Sequence, residues 1–331
     1  MPDSSVSDAA DAGLMTPSAV AELIRRGEWL VIAGDAELLG GLPRGNWIGG
    51  TIPYFMGPDG GQCTRRQAFV NRIAAGAETP EIRRYDVTNL DQLCLDAPDN
   101  GYSLIILPAF SPVHAHYARN APGFEDMFVK PVIGWVSGVH LDDLAERPPL
   151  VFDGRRGEAA ADLAMVMHVP LPPDRHAQVD IINGMRQGDG PAIRFPATGF
   201  SARTAFIGGV ERNLADYLSR TGFDTRLPLV ADCCGAMINV SIKSIDRADG
   251  RVDFYAPVFS DTDYRVAEGR MPVLGEGEGM GTQFSCNCIL NYLYGELEGK
   301  RTAAFTGPMT FGEIAYLLLN QTLVHMRIVR Q

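Results

Sequence analysis

"SLIILPAF", Ser103–Phe110, runs from Leu104 to Leu107 without a polar residue. It is short for a helix and lacks the alternation of a strand with one wet face, so it reads as a strand covered on both sides. "KPVIGWVSGVH" (Lys130–His140) and "LAMVMHVPL" (Leu163–Leu171) read the same way. Between the first two, only Ser111–Phe128 has helical character. The expectation is an α/β (α+β) chain with mixed, largely antiparallel sheets and few helices.

Working outward, Thr16-Pro17 is a helix start, a capping hydroxyl followed by a residue already fixed at helical φ, and a short helix should run to about Gly27. "WLVIAGD" (Trp29–Asp35) is another buried strand. The segment from Leu42 to Gln62 carries six glycines, which imply sharp turns around one short strand, with "GPDGG" as a hairpin loop. "GFSARTAFIGG" alternates through Phe200, Ala202, Thr204 and Phe206, and reads as one strand entering a helix at a Gly-Gly turn. Downstream, "INVSIK" and "RVDFYAPVF" alternate on either side of Asp249-Gly250 and predict a hairpin. The expected organisation is a disordered lead and short helix over 1–28, one region over 29–224 and a second over 225–331.

The chain has 331 residues, 46% hydrophobic and 21% charged, enough apolar surface for substantial cores. Lys and Arg number 29 against 40 Asp and Glu, and the net charge of −11 disfavours nucleic acid and anionic membrane surfaces as partners. The opening "MPDSSVSDAADAGLM" has acids where a secretory signal has bases, and no apolar run approaches the ~20 residues of a membrane span. The expected compartment is the cytoplasm, with all six cysteines as reduced thiols.

The order of several motifs resembles that of the FIST proteins, bacterial intracellular sensory proteins with an N-terminal and a C-terminal FIST region. "WIGGTIPYF" (Trp47–Phe55) is similar in position and glycine use to that family's early turn, and "SLIILPA", "KPVIGWVSG" and "RTAFIGGVERNLADYL" echo its later strands and helix entry. Phe284-Ser285-Cys286, Phe311-Gly312-Glu313 and Thr322 are similar to its C-terminal half. The resemblance implies cytoplasmic sensing of a small, amino-acid-like ligand, relayed to a separate signalling protein, with haem as the cofactor in an alternative gas-sensing reading. "GGTIPYF" departs from the family's "GEI", and Cys288 is an extra cysteine.

Cys286-x-Cys288 and Cys233-Cys234 offer four thiolates, yet neither spacing matches a structural metal knuckle, so no metal site is expected. A catalytic alternative takes Cys286 as nucleophile with His325 or His140 as base and Glu313 as orienter. "GPDGG" and "GEGEGMG" lack the Lys-Ser/Thr of a nucleotide-triphosphate loop. The remaining polar and aromatic residues on glycine turns form the candidate ligand site: Arg44, Asn46, Trp47, Thr51 and Tyr54 from the early segment, with Ser285, Cys286, Asn287, Glu313 and Asn320 from the late one. There an arginine would clasp a carboxylate and Glu313 would accept an ammonium, provided that the two segments enclose a common hollow.

Overall fold

A computed structural model describes residues 12–74, 78–233, 236–270, 272, 274–275 and 277–330. Its central sheet runs Leu317–Leu319, Glu313–Ala315, Val132–Ser137, Gly101–Pro108, Ala164–Pro170, Glu81–Tyr85. Gly101–Pro108 and Val132–Ser137 are parallel and the other neighbours are antiparallel. Helix Pro112–Asn120 lies on the connection between the parallel pair, its start capped by the Ser111 hydroxyl, which accepts from the His114 amide at 3.1 Å.

Both faces of this sheet are buried, which is why its strands carry continuous apolar runs. Leu104, Ile106, Ile133, Trp135, Met165 and Met167 join one apolar cluster. Ile105, Leu107, Val132, Val136 and Val166 join another, together with helix Pro112–Asn120. The first cluster is shared with two flanking six-stranded sheets. One contains Trp29–Gly34 and Trp47–Thr51; the other runs Arg175–Ile182, Leu323–Arg330, Phe284–Cys288, Gly307–Thr310, Tyr54–Gly57, Gly60–Cys63. The second cluster is closed by a seven-stranded and a three-stranded sheet built from residues 185–269, the latter containing Arg251–Val258 and Ile242–Asp246.

The structure departs from the sequence reading at several elements. Ala12–Met15, expected in the lead, is an edge strand on Ala68–Ile73; residues 1–11 lie outside the described residues. The early glycine segment holds parts of three strands rather than one, Trp47–Thr51, Tyr54–Gly57 and Gly60–Cys63, the last two joined as the expected hairpin. "GFSARTAFIGG" is broken at Arg203 into Gly199–Ala202 and Thr204–Ile207, which belong to different sheets. Gly208 and Gly209, both at positive φ, turn a hairpin into Val210–Asn213, and the helix Leu214–Arg220 begins only after Asn213 caps it. "INVSIK" is likewise split at Ser241, although its second half does form the expected hairpin with Arg251–Val258.

Pairings cross the expected boundary at 224/225. Glu313–Ala315 pairs with Val132–Ser137, Leu323–Arg330 with Arg175–Ile182, and Gly307–Thr310 with Tyr54–Gly57. The two regions share their sheets.

Candidate functional site

Strand Phe284–Cys288 alternates as a strand must, and its register decides several candidate roles. Ser285 lies opposite His325 and Cys286 opposite Val324, so Cys286 and His325 project from opposite faces. The Cys286 thiol donates to the Gly134 carbonyl at 3.3 Å, and burial, reinforced by the Glu313 charge, holds its pKa well above the ordinary thiol value. Ser285 donates to the Thr306 carbonyl at 2.7 Å, and the Asn287 side-chain oxygen accepts from Asn291 at 2.9 Å. A cavity lined by Ser285, Cys286 and Asn287 measures about 10 Å³, room for one water at most. The expected Cys286–His325–Glu313 constellation is therefore not assembled.

Glu313 is fully buried at the start of its strand. Its carboxyl accepts from the Thr322 hydroxyl at 2.9 Å, the Thr322 amide at 3.3 Å and the Thr310 hydroxyl at 3.3 Å, and the Cys288 thiol also bonds it. Burial raises its pKa to about 8; these donors oppose that shift without reversing it. The group is thus mostly a protonated acid at neutral pH, a poor acceptor for an ammonium.

Next to this network a cavity of about 280 Å³ opens at the carboxyl ends of the parallel strands, the usual position for ligand crevices in such sheets. Phe110 follows Gly101–Pro108, while Leu141 and Leu144 follow Val132–Ser137. Tyr255, Phe311, Lys243 and the short helix Ile289–Tyr294 complete the wall, with Cys288 and Asn320 among the buried lining residues. Two features mark this cavity. The Asn320 carboxamide oxygen has no hydrogen-bond partner among the described residues. Phe110 is held at φ 63°, a left-handed conformation that costs a bulky residue ~1–2 kcal/mol, with the Lys243 ammonium 4.5 Å from its ring centre.

Of the expected ligand residues, Asn320 lines this cavity, and Tyr54 stands behind it, its hydroxyl accepting from the amide of the lining residue Leu141 at 3.2 Å. The other early residues lie elsewhere. Arg44 packs over Gly157, and Asn46 donates to the Gly27 carbonyl at 3.1 Å. The Trp47 indole donates to the Pro43 carbonyl at 2.9 Å. Thr51 exchanges bonds with the Leu150 backbone. No common hollow joins them to Cys286: a side chain at Gly50 would collide with Ile106 and Trp135, and Trp135 in turn stacks on Phe284 at 5.7 Å. The glycines serve close sheet packing. Phe110, Lys243, Tyr255, Phe311 and Cys288 were not foreseen as cavity residues; the one local signal was a large apolar residue, Phe110, at a strand-to-helix turn just ahead of Ser111-Pro112.

Among the described residues no group of three or more His, Cys, Asp or Glu side chains is placed to hold a metal ion; Cys234, one of the four thiols considered, lies outside them. No helix among the described residues is long and apolar enough to cross a membrane. A family model matches residues 15–329, nearly the whole chain. The chain belongs to DUF6976, a family of unknown function. No curated protein and no solved structure matches this DUF6976 chain.

Proposed function

We propose that this protein binds a small amino-acid-like or hydroxy-acid ligand with an apolar side chain in the cavity at the ends of Gly101–Pro108 and Val132–Ser137. The observation that carries the reading is the buried, unpartnered oxygen of Asn320 at a cavity lined mostly by apolar side chains, with Lys243 and Tyr255 also in the wall. A ligand ammonium or hydroxyl would donate to Asn320, its carboxylate would meet Lys243, and its apolar part would cover Phe110, Leu144 and Leu293, which are exposed in the unliganded chain. Supplying a partner to a buried acceptor is worth about 1–3 kcal/mol, roughly ten- to hundredfold in affinity.

The role is non-catalytic. Cys286 is sealed and un-ionised, and Cys288, the thiol in the cavity wall, is pushed well above the ordinary range by burial and by Glu313. No histidine lines the cavity, so a haem held by an axial histidine has no support there. In the FIST-like reading, which this proposal retains, occupancy shifts the chain between two arrangements and a separate signalling protein reads the result. Cys63, Cys94, Cys286 and Cys288 are free thiols, which suits a reducing cytoplasm.

The test is a thermal-shift series with apolar amino acids, their hydroxy-acid analogues and short aryl carboxylates. The expected outcome is a dose-dependent rise in Tm for at least one class, weakened tenfold or more by Asn320→Leu and by Lys243→Leu. A flat response across the series would overturn the proposal, as would ligands that bind both variants as tightly as the parent.

A further inference from the structure

A second cavity, of about 520 Å³, lies on the far side of helix Ile289–Tyr294 from the first. Among the described residues its lining carries four cationic side chains, Arg226, Arg270, Lys300 and Arg301, and one carboxylate, Asp224. That is the reverse of the chain as a whole, whose net charge is −11. A cationic concavity on an acidic molecule concentrates small anions. Asp224 is already committed, held to Arg226 through contacts of 3.0 and 2.7 Å. The other ion pairs of these cations are looser: Lys300 reaches Glu296 at 3.8 Å and Arg301 reaches Asp59 at 3.7 Å, with both of those carboxylates largely solvent-exposed. Exposed pairs of this kind are worth ~0–1 kcal/mol, so a polyanion can displace them.

The floor is prepared for a polar ligand. The Gln321 amide donates to the Arg226 carbonyl at 2.9 Å and its oxygen accepts from Ser241 at 2.9 Å, fixing the base of one cation arm. Asn291, 4% exposed, contributes a second buried carboxamide to the lining. Leucine, methionine and proline side chains form the remaining wall, so the space offers an apolar bed beside the charges. We infer that this cavity binds a phosphorylated small molecule of nucleotide size, with its phosphates among Arg270, Lys300 and Arg301 and its organic body against the apolar wall. The chain's net charge of −11 disfavours a folded nucleic acid as the occupant. The inference is independent of the ligand proposed for the first cavity.

Calorimetric titration of the full chain with ADP, pyrophosphate and adenosine tests it. ADP and pyrophosphate should bind, ADP the tighter, with affinity falling as salt is raised; adenosine should not bind at matching concentrations. Lys300→Ala/Arg301→Ala and Arg270→Ala should each weaken ADP tenfold or more, the swap Lys300→Arg/Arg301→Lys should retain most of the affinity, and Lys243→Leu, in the other cavity, should leave it unchanged. Absence of ADP and pyrophosphate binding at millimolar concentration by well-folded protein would overturn the inference. So would ADP binding that survives the alanine variants.

Discussion

Glu313 shows how one residue can be flagged by sequence and misread in charge. "FGE" marked it as polar chemistry in an apolar stretch, and an ionised acceptor was the natural expectation. Its surroundings, hydroxyls and a thiol with no cation among its hydrogen-bond partners, come from Thr310 in its own turn, from Thr322 nine residues on and from Cys288 on another strand, and no local pattern shows that the fold buries them together. The folded pKa near 8 lies above the ordinary 4.5, so the folded chain holds a proton that the unfolded chain releases. The stability this confers is complete below about pH 4.5 and is lost as pH rises through 8. Glu313→Gln keeps the hydrogen bonds without the titration. Relative to the parent it should be little changed at pH 4 and more stable by ~2–4 kcal/mol at pH 9, read from denaturant midpoints. Equal pH dependence in parent and variant would refute this assignment. Asn320 makes a complementary case: Asn320→Leu removes an unpaired acceptor, so the unliganded chain should hold or gain stability while ligand affinity falls, a pairing of effects that a purely structural asparagine would not give.

At the scale of the element, the strands with continuous apolar runs were legible because burial on both faces writes itself into every position. Val132–Ser137 and Ala164–Pro170 lie within the expected stretches, and Gly101–Pro108 overlaps the expected Ser103–Phe110, starting two residues earlier. Alternation was less dependable. In "GFSARTAFIGG" and "INVSIK" it continued unbroken across Arg203 and Ser241, where the chain passes from one sheet to another, since period-two patterning records which face is buried but not which partner pairs. Glycine carries a sharper constraint. A Cβ on Gly134 would run into the Ile105 backbone in the neighbouring parallel strand, whereas one on Gly40, the last residue of helix Ala36–Gly40, would meet nothing within 4 Å. Gly134→Ala should therefore destabilise by at least ~2–3 kcal/mol, and Gly40→Ala should be neutral or stabilise by up to about 1 kcal/mol, both measured by chemical denaturation. Similar effects from the two substitutions would contradict the close strand approach.

For the whole molecule, composition spoke clearly about charge and core size, and the mixed α+β class followed from pattern. The arrangement of the sheets did not, because Glu313–Ala315 and Leu323–Arg330 pair with strands that precede them by more than a hundred residues, and short motifs carry no record of such distance. Buried histidines give the assembled molecule a second pH limit. His168, bonded to Ser103 at 2.8 Å and Tyr85 at 2.9 Å, and His114 on the buried side of helix Pro112–Asn120 are both lowered to about 4, chiefly by burial. Between about pH 6.5 and 4 the unfolded chain takes up protons there that the folded chain refuses, so stability falls with acid, while Glu313 removes stability towards alkali. The maximum should sit near pH 6.5, and Glu313→Gln should steepen the rise between about pH 4.5 and 6.5 and remove the decline from there towards pH 8. A stability curve still rising between pH 7 and 9 would contradict this balance.

Helix Ile289–Tyr294 and the Asn320-Gln321 pair are a party wall: Ile289, Leu290, Leu293 and Asn320 face one chamber, Asn291, Tyr294 and Gln321 the other. Gln321 stands at φ 51°, which leaves this partition sprung rather than relaxed. Whatever presses on it from one room alters the shape of the next, and thermodynamic reciprocity then fixes the two influences as equal. An occupant that tightens its neighbour's grip tenfold must find its own grip tightened tenfold in return.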